Sequence, residues 1–318
     1  MKTITGLMAL AALGCASSAA VAAAYPERPI IFILPVSAGG ATDVGARTYA
    51  PHIAQCLGEG SQIVVTNMPG GSSVVGISAV AASPADGYTF GTLNMPNLIT
   101  TTIVAERTYT PESFVFLGNV VGSTSAFSVQ KGSDITSLKD IVDRVKSGET
   151  VRVGVGTMGS DDHLAFLRFA KLAGIEMNYV PFGDEARARN ALLGGNVDVI
   201  GMSATAALGF ANEITVIGAA SPERLSYAPD IPTFIEQGYD LVSGSMHALG
   251  MPTGVPDDIV AKMRGCVDSL ATNEAFLKEA AERGVALKLM NADAVTAAIA
   301  EEATVLRAIW EETPWAAK

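Results

Sequence analysis

Three times along this chain a short apolar run stops at a glycine-rich turn that reads as the opening of a helix. The turns are Ala38-Gly39-Gly40, Gly70-Gly71-Ser72-Ser73 and Gly156-Thr157-Met158-Gly159-Ser160. Around them, strand-like and helix-like runs alternate from residue 30 to the C-terminal region. Ile30 to Leu34 is continuously apolar, as a buried strand is, and a helix is expected to run from its turn to Leu57, kinked at Pro51 and stopped by Gly58. Residues 62–66 and 88–93 read as strands flanking a small-residue helix over 74–82. The pattern returns at 151–155, 178–182 and 197–201, with helices over 162–173 and from Asp184-Glu185 to Gly194-Gly195. In the first of these, Phe166, Phe169, Ala170 and Ala173 share one face at helical spacing. Pro256 opens a helix toward Leu270, and two more helical segments lead to Trp315. Serial strand–turn–helix units predict an α/β fold with parallel sheets covered by helices on both faces. No low-complexity linker occurs, so two lobes would have to be joined by ordered strands.

The turns suggest chemistry as well as architecture. A helix N-terminus presents unpaired N–H groups and a partial positive charge, and glycine lets an anion approach the main chain. Hydrogen bonds to a charged group contribute roughly 1.5–3 kcal/mol each, and micromolar binding needs about −8 kcal/mol. Two or three converging turns therefore suffice to hold a carboxylate without Arg or Lys.

That matters because the chain is acidic, with 21 Lys and Arg against 32 Asp and Glu. Such a balance argues against nucleic acid or anionic lipid as partner. Residues 1–24 read as an export signal: Lys2, an apolar stretch from Ile4 to Leu13, and Ala22-Ala23-Ala24 at the expected cleavage point. Cleavage there leaves 294 residues with 20 Lys and Arg and 32 Asp and Glu, a balance of −12. A lipoprotein cleaved before Cys15 is the rival reading, although Ala12-Leu13-Gly14 departs from the usual lipidation pattern. Export to the periplasm would permit a disulfide between Cys56 and Cys266; two buried thiols are the alternative. No cofactor is expected, and His52, His163 and His247 form no close metal-binding cluster in sequence.

Enzymatic motifs are weak. Gly154-Val155-Gly156-Thr157-Met158-Gly159 matches a dinucleotide fingerprint formally, but Asp161-Asp162 would face the pyrophosphate. Gly201-Met202-Ser203-Ala204-Thr205 fails as a nucleophile elbow at its last position. Ser245 and His247 read as part of a strand through the core. His163, in the first turn of a helix, would touch a ligand or simply be solvated.

The same turns carry a resemblance. Tyr25-Pro26-Glu27-Arg28-Pro29-Ile30, residues 35–43, residues 67–76, Pro84-Ala85-Asp86-Gly87-Tyr88-Thr89, Gly159-Ser160 with His163-Leu164, residues 191–198 and Pro229-Asp230-Ile231-Pro232-Thr233-Phe234 occur in order. Together they are similar to the extracytoplasmic solute-binding proteins of tripartite tricarboxylate transporters, the Bug family. The resemblance implies a type II periplasmic-binding-protein fold, with residues 25–124 and 221–318 in one lobe and 125–220 in the other. It implies a monomer that captures a small carboxylate (a di- or tricarboxylate, an aromatic acid or an amino acid) and delivers it to membrane transporter subunits without catalysis. A sensor of the same fold reporting to a membrane kinase, or an exported enzyme, are the alternatives. By the same resemblance Ser37, Ala38, Gly39 and Gly40, with Asp43, hold one ligand carboxylate, and Ser72 adds to that lobe. Thr157, Met158, Gly159, Ser160, His163 and Ser203 approach from the other.

The departures from the family pattern cluster in the second lobe. Phe182-Gly183-Asp184-Glu185 stands where Tyr-Lys-Gly is frequent, Met68 where a basic residue is frequent, and Asp161 and Asp162 replace small or polar residues. An acidic rim of Asp161, Asp162, Asp184 and Glu185 would either select a cationic ligand group or merely complement helix N-termini.

Overall fold

The computed structural model describes residues 25–315; the expected signal and Cys15 lie outside them. The chain begins as the sequence pattern predicts, with β1 (Ile30–Leu34), α1 (Ala41–Leu57), β2 (Ile63–Asn67), α2 (Val74–Ala81), β3 (Thr89–Met95) and α3 (Asn97–Val104). β4 (Phe114–Gly122) then runs into β5 (Ser125–Gln130), which starts a second sheet. There follow α4 (Leu138–Lys146), β6 (Arg152–Val155), α5 (Asp161–Ala173), β7 (Asn178–Pro181), α6 (Glu185–Leu193), β8 (Val199–Ser203), α7 (Ala204–Leu208) and β9 (Ile214–Ala219). The chain returns to the first sheet as β10 (Met246–Pro252) and ends with α8 (Asp257–Ser269), α9 (Glu274–Glu282), β11 (Leu287–Met290) and α10 (Ala292–Glu312).

The strand orders are β11-β4-β10-β3-β1-β2 and β7-β6-β8-β5-β9. Contrary to the all-parallel expectation, both sheets are mixed: β10 is antiparallel to β3 and β4, and β5 is antiparallel to β8 and β9. The physical reason lies in the crossings. A strand that arrives from the other lobe enters its sheet at the end where the local β–α units finish, and so must run against them.

Alternation along β1 divides the first lobe's core. Ile30, Phe32 and Leu34 face a cluster with α1 and α8, while Ile33 faces α2, α3 and α10 on the other side. Phe32 stacks on Phe90 of β3, ring centroids 4.2 Å apart. Cys56 of α1 and Cys266 of α8 are joined across this core, their Cα atoms 5.5 Å apart. The second lobe is organised around Phe127, which stacks on Phe166 at 3.6 Å and meets Phe169 and Phe234 edge-on.

Phe234 also corrects the expected boundary. Phe234 and Leu241 are buried in the second lobe's core, and Thr233 bridges to Ala219 of β9. Residues 221–242 therefore pack on the second lobe, and the return crossing falls at Ser243 to Ser245 rather than at 221. There it pairs with the outgoing crossing: Ser123 N–H donates to Ser245 O and Ser125 N–H to Ser243 O. The hydroxyls of Ser123 and Ser245 also lie 2.8 Å apart. A third tie comes from the C-terminal segment, where Trp315 joins the first lobe's core cluster together with Leu164 of α5. Nearby, Lys171 of α5 pairs with Glu312 at 2.6 Å.

Candidate functional site

In both lobes the C-terminal ends of the parallel strands point toward the crossings, where ligands bind in open α/β sheets. Pairing of Ser125 with Ser203 places the start of β5 beside the end of β8. Pairing of Asn94 with His247 does the same for β3 and β10 in the first sheet. The glycine turns therefore emerge at the junction between lobes. Gly71 and Ser72 from the first lobe and Thr157 to Ser160 from the second line a common cavity of about 150 Å³, together with Asn97 and Trp315.

The turn of residues 37–40 does not line that cavity; all four residues are exposed. Its shape is held from below. Asp43 Oδ2 accepts the Gly39 N–H at 3.0 Å, and Asn67 donates to both Asp43 Oδ1 and the Val36 carbonyl. Arg47 completes the support by donating to Asp43 and to Asn67 Oδ1. Burial works against the Asp43 charge, but the hydrogen bonds from Arg47, Gly39 and Asn67 prevail and hold its carboxyl below the usual value. Asp43 is thus a positioning group in this structure, 4% exposed, with Arg47 and Asn67 as partners that sequence reasoning missed. The i,i+4 spacing of Asp43 and Arg47 is the signal that was available.

The second lobe repeats this device with different chemistry. His163 Nδ1 accepts the Gly159 N–H at 3.0 Å, again four residues along, and Gly159 and Gly39 have φ of +80° and +86°. His163 is therefore buried beneath its turn rather than solvated, with its proton on Nε2, and burial depresses its pKa to about 4. Gly159 is fixed from outside as well, since a Cβ there would sit 2.8 Å from Trp315 Nε1. Gly70, Gly71, Ser72 and Ser73 all have positive φ, so this turn is a run of four left-handed residues. Gly76 of α2 packs so closely on the first turn that a Cβ would lie 2.7 Å from Pro35 Cα.

The two lobes differ in how their helix N-termini are satisfied. In the first lobe, α1 starts at Gly40, α2 at Ser73 and α3 at Pro96, none with a side-chain cap. Val44 is the first α1 residue whose N–H bonds back along the helix, to Gly40 O. The Ala41, Thr42 and Asp43 amides precede that ladder. In the second lobe, Ser160 caps α5, Asp184 caps α6 and Ser203 caps α7. Asp161 and Asp162 add two carboxyls to the first turn of α5. The expectation of free amides converging from both halves therefore meets a different arrangement: in the second lobe the amides of His163, Arg187 and Ala206 are each already taken by a cap.

Asp162 is 1% exposed and lies over Gly201 of β8, where a Cβ would come within 2.7 Å of Asp162 Cβ. Burial, then the nearby Asp161 and Glu185 charges, push its carboxyl well above the usual range. Glu185 is pushed to about 7 by burial and by the Asp161 charge. Among the described residues no group of three His, Cys, Asp or Glu has a metal-binding arrangement. None of their helices is long and apolar enough to cross a membrane.

Two mixed α/β lobes joined by paired crossings, with strand ends and helix starts facing the junction, define a two-lobed binding protein of the periplasmic type. The comparisons agree. The family model of the tripartite tricarboxylate transporter family receptor matches residues 46–314. BugT of Bordetella pertussis is 28% identical over 286 residues, 87% of each chain. A TctC solute-binding protein from Polaromonas, solved without ligand, superposes with a TM-score of 0.78 at 25% identity, covering 91% of this chain and 99% of its own. The Rpa4515 protein of R. palustris, solved with adipate, gives a TM-score of 0.76 at 25% identity, covering 90% and 97%. This chain belongs to the tripartite tricarboxylate transporter receptor family.

Proposed function

We propose that the chain is exported, loses residues 1–24 after Ala24, and works in the periplasm as a monomeric, non-catalytic receptor for a small organic acid. A ligand carboxylate lies at the uncapped start of α1, on the amides of residues 41–43 and the turn of Ser37 to Gly40. Ser72 contributes from the same lobe, and Thr157 to Ser160 close on the ligand from the other. The loaded receptor docks on the membrane subunits of a tripartite tricarboxylate-type transporter. The observation that carries this reading is the unsatisfied N-terminus of α1 at the junction of two lobes, in a chain of this receptor family. The adipate-bound relative supports a carboxylate as the ligand's recognised group.

Ala41→Pro tests it. Ala41 is the first helical residue and Gly40 is extended, φ −81° and ψ 171°, a conformation proline accepts in its predecessor. The substitution removes one amide while leaving the helix start intact. Loss of a hydrogen bond to a charged group lowers affinity for the organic acid roughly 10–100-fold, with little change in melting temperature. The acid itself is identified by mass spectrometry of small molecules released from protein purified without refolding. Unchanged carboxylate affinity in the variant, measured calorimetrically, removes α1 from the site.

A further inference from the structure

We propose that the second lobe's face of the cleft is a cation-receiving subsite. Asp161, Asp162 and Glu185, backed by Ser123, Ser125 and Ser203, take the ammonium of a ligand whose carboxylate lies on the first lobe. The receptor's substrates are then aminocarboxylates. This rests on the carboxylate reading above and extends it to the opposite end of the ligand.

Four observations converge. First, the helix starts of the second lobe disfavour anions: Ser160, Asp184 and Ser203 each already take one amide, and Asp161 and Asp162 place two carboxyls in the first turn of α5. A ligand carboxylate placed there would sit against two protein carboxyls. Second, three carboxyls approach one another without a counter-charge. Asp161 and Glu185 surround Asp162, and no cation figures among the main influences on any of them. On the helix that carries Glu185, Arg187 pairs with Asp184 at 3.4 Å and Arg189 lies over the Phe210 ring. Third, Asp162 is almost wholly buried, and its Oδ1 has no hydrogen-bond partner of ordinary geometry; the fully buried Ser125 hydroxyl beside it has none either. Buried polar atoms are ordinarily paired; even with the Ser125 hydroxyl turned toward it, the Asp162 carboxyl keeps lone pairs free for a further donor. Fourth, Asp161 and Glu185 are only half-buried, so part of each remains open to solvent.

An ammonium carries three donors and no acceptor, which matches a site of carboxylate and hydroxyl oxygens. It also offsets the repulsion that keeps the Asp162 and Glu185 carboxyls protonated in part. The titratable groups facing the cluster are Asp161, Asp162 and His163 of α5 and Asp184 and Glu185 of α6. The crossings and the β5 and β8 ends contribute only hydroxyls, with His247 one step removed through Ser245 and Ser123. His163 and His247 are both held neutral by burial. Binding of the ammonium favours the charged carboxylates and so releases protons from the cluster.

The test is calorimetry at pH 7.5 on the mature protein with chain-matched probes: succinate against 3-aminopropanoate, glutarate against 4-aminobutyrate, and adipate against 5-aminopentanoate. In the pair that fits, the aminocarboxylate binds roughly 10–100-fold tighter, the effect of one charge-assisted contact. Repeating the titration in buffers of different ionisation heat shows protons released on binding. Glu185→Gln removes most of the preference and most of the proton release. If a dicarboxylate binds as tightly as its amino partner or tighter, the cation subsite is wrong while the carboxylate receptor stands. If no probe of either kind binds, both readings fall.

Discussion

At the scale of single residues, the cleft is shaped by side chains that never need to touch a ligand. Asp43 and His163 each reach back four positions to take a glycine amide. One is held charged by Arg47 and Asn67, the other neutral by burial. Their neighbours make stability depend on pH in opposite senses. The folded pKa of His163 is depressed to about 4, so its contribution is complete above its ordinary value of 6.5 and is lost as pH falls toward 4. The folded pKa of Glu185 is raised to about 7, so its contribution is complete below its ordinary 4.5 and is lost as pH rises through 7. Glu185→Gln is accordingly more stable than the native protein at pH 8, by about 1–3 kcal/mol, and indistinguishable from it near pH 5. Urea unfolding of the ligand-free protein at the two pH values measures this. A variant that is weaker at pH 8 would show that the glutamate charge is compensated after all.

At the scale of elements, what decides the cleft is how closely one turn sits on another. Gly76 is the clearest instance: its virtual Cβ meets Pro35 Cα at 2.7 Å and Met68 O at 2.9 Å, both backbone atoms that cannot rotate aside. Gly76→Ala is expected to lower stability by about 1–3 kcal/mol and to weaken ligand binding, since α2 must retreat from the first turn; chemical denaturation and calorimetry read the two effects. The three glycine turns and most flanking strands were legible because an apolar run followed by glycine and a small polar residue has few other uses. Strand direction was not legible, because side-chain periodicity is the same for parallel and antiparallel neighbours. For that reason Phe114 to Gln130, which supplies β4, β5 and the first crossing, carried no signal of its role. β8 runs to Ser203, two residues beyond the expected 201, which is what brings that hydroxyl to the junction. Roles at the site were harder still. Asp43 and His163 stand where the family pattern puts them, but whether they face the ligand or support the loop depends on burial, and burial of a polar side chain is set by its partners. Asp162 is the sharper lesson: as one of four acids at helix starts it looked like a dipole complement, and only its cover by Gly201 shows that it is enclosed.

At the scale of the whole molecule, the chain visits the first lobe, the second and the first again, and the Cys56–Cys266 bridge ties together two helices separated by that excursion. Closing 210 residues of chain constrains the unfolded state strongly. Cys266→Ser should lower stability by about 2–4 kcal/mol, seen as a melting temperature about 4–8 °C lower, with ligand affinity retained because Cys56 lies in the last turn of α1, at the opposite end from the amides of residues 41–43. An unchanged melting temperature would mean that the bridge contributes nothing in solution. The paired crossings have a different consequence. Two extended segments clasped by reciprocal amide bonds and facing hydroxyls resist sliding past each other, yet twist with little resistance. Any turn of one lobe against the other about this clasp would also have to shift the Trp315 and Lys171–Glu312 contacts, which lie away from it, so small adjustments at the junction would be read out at the C-terminal segment.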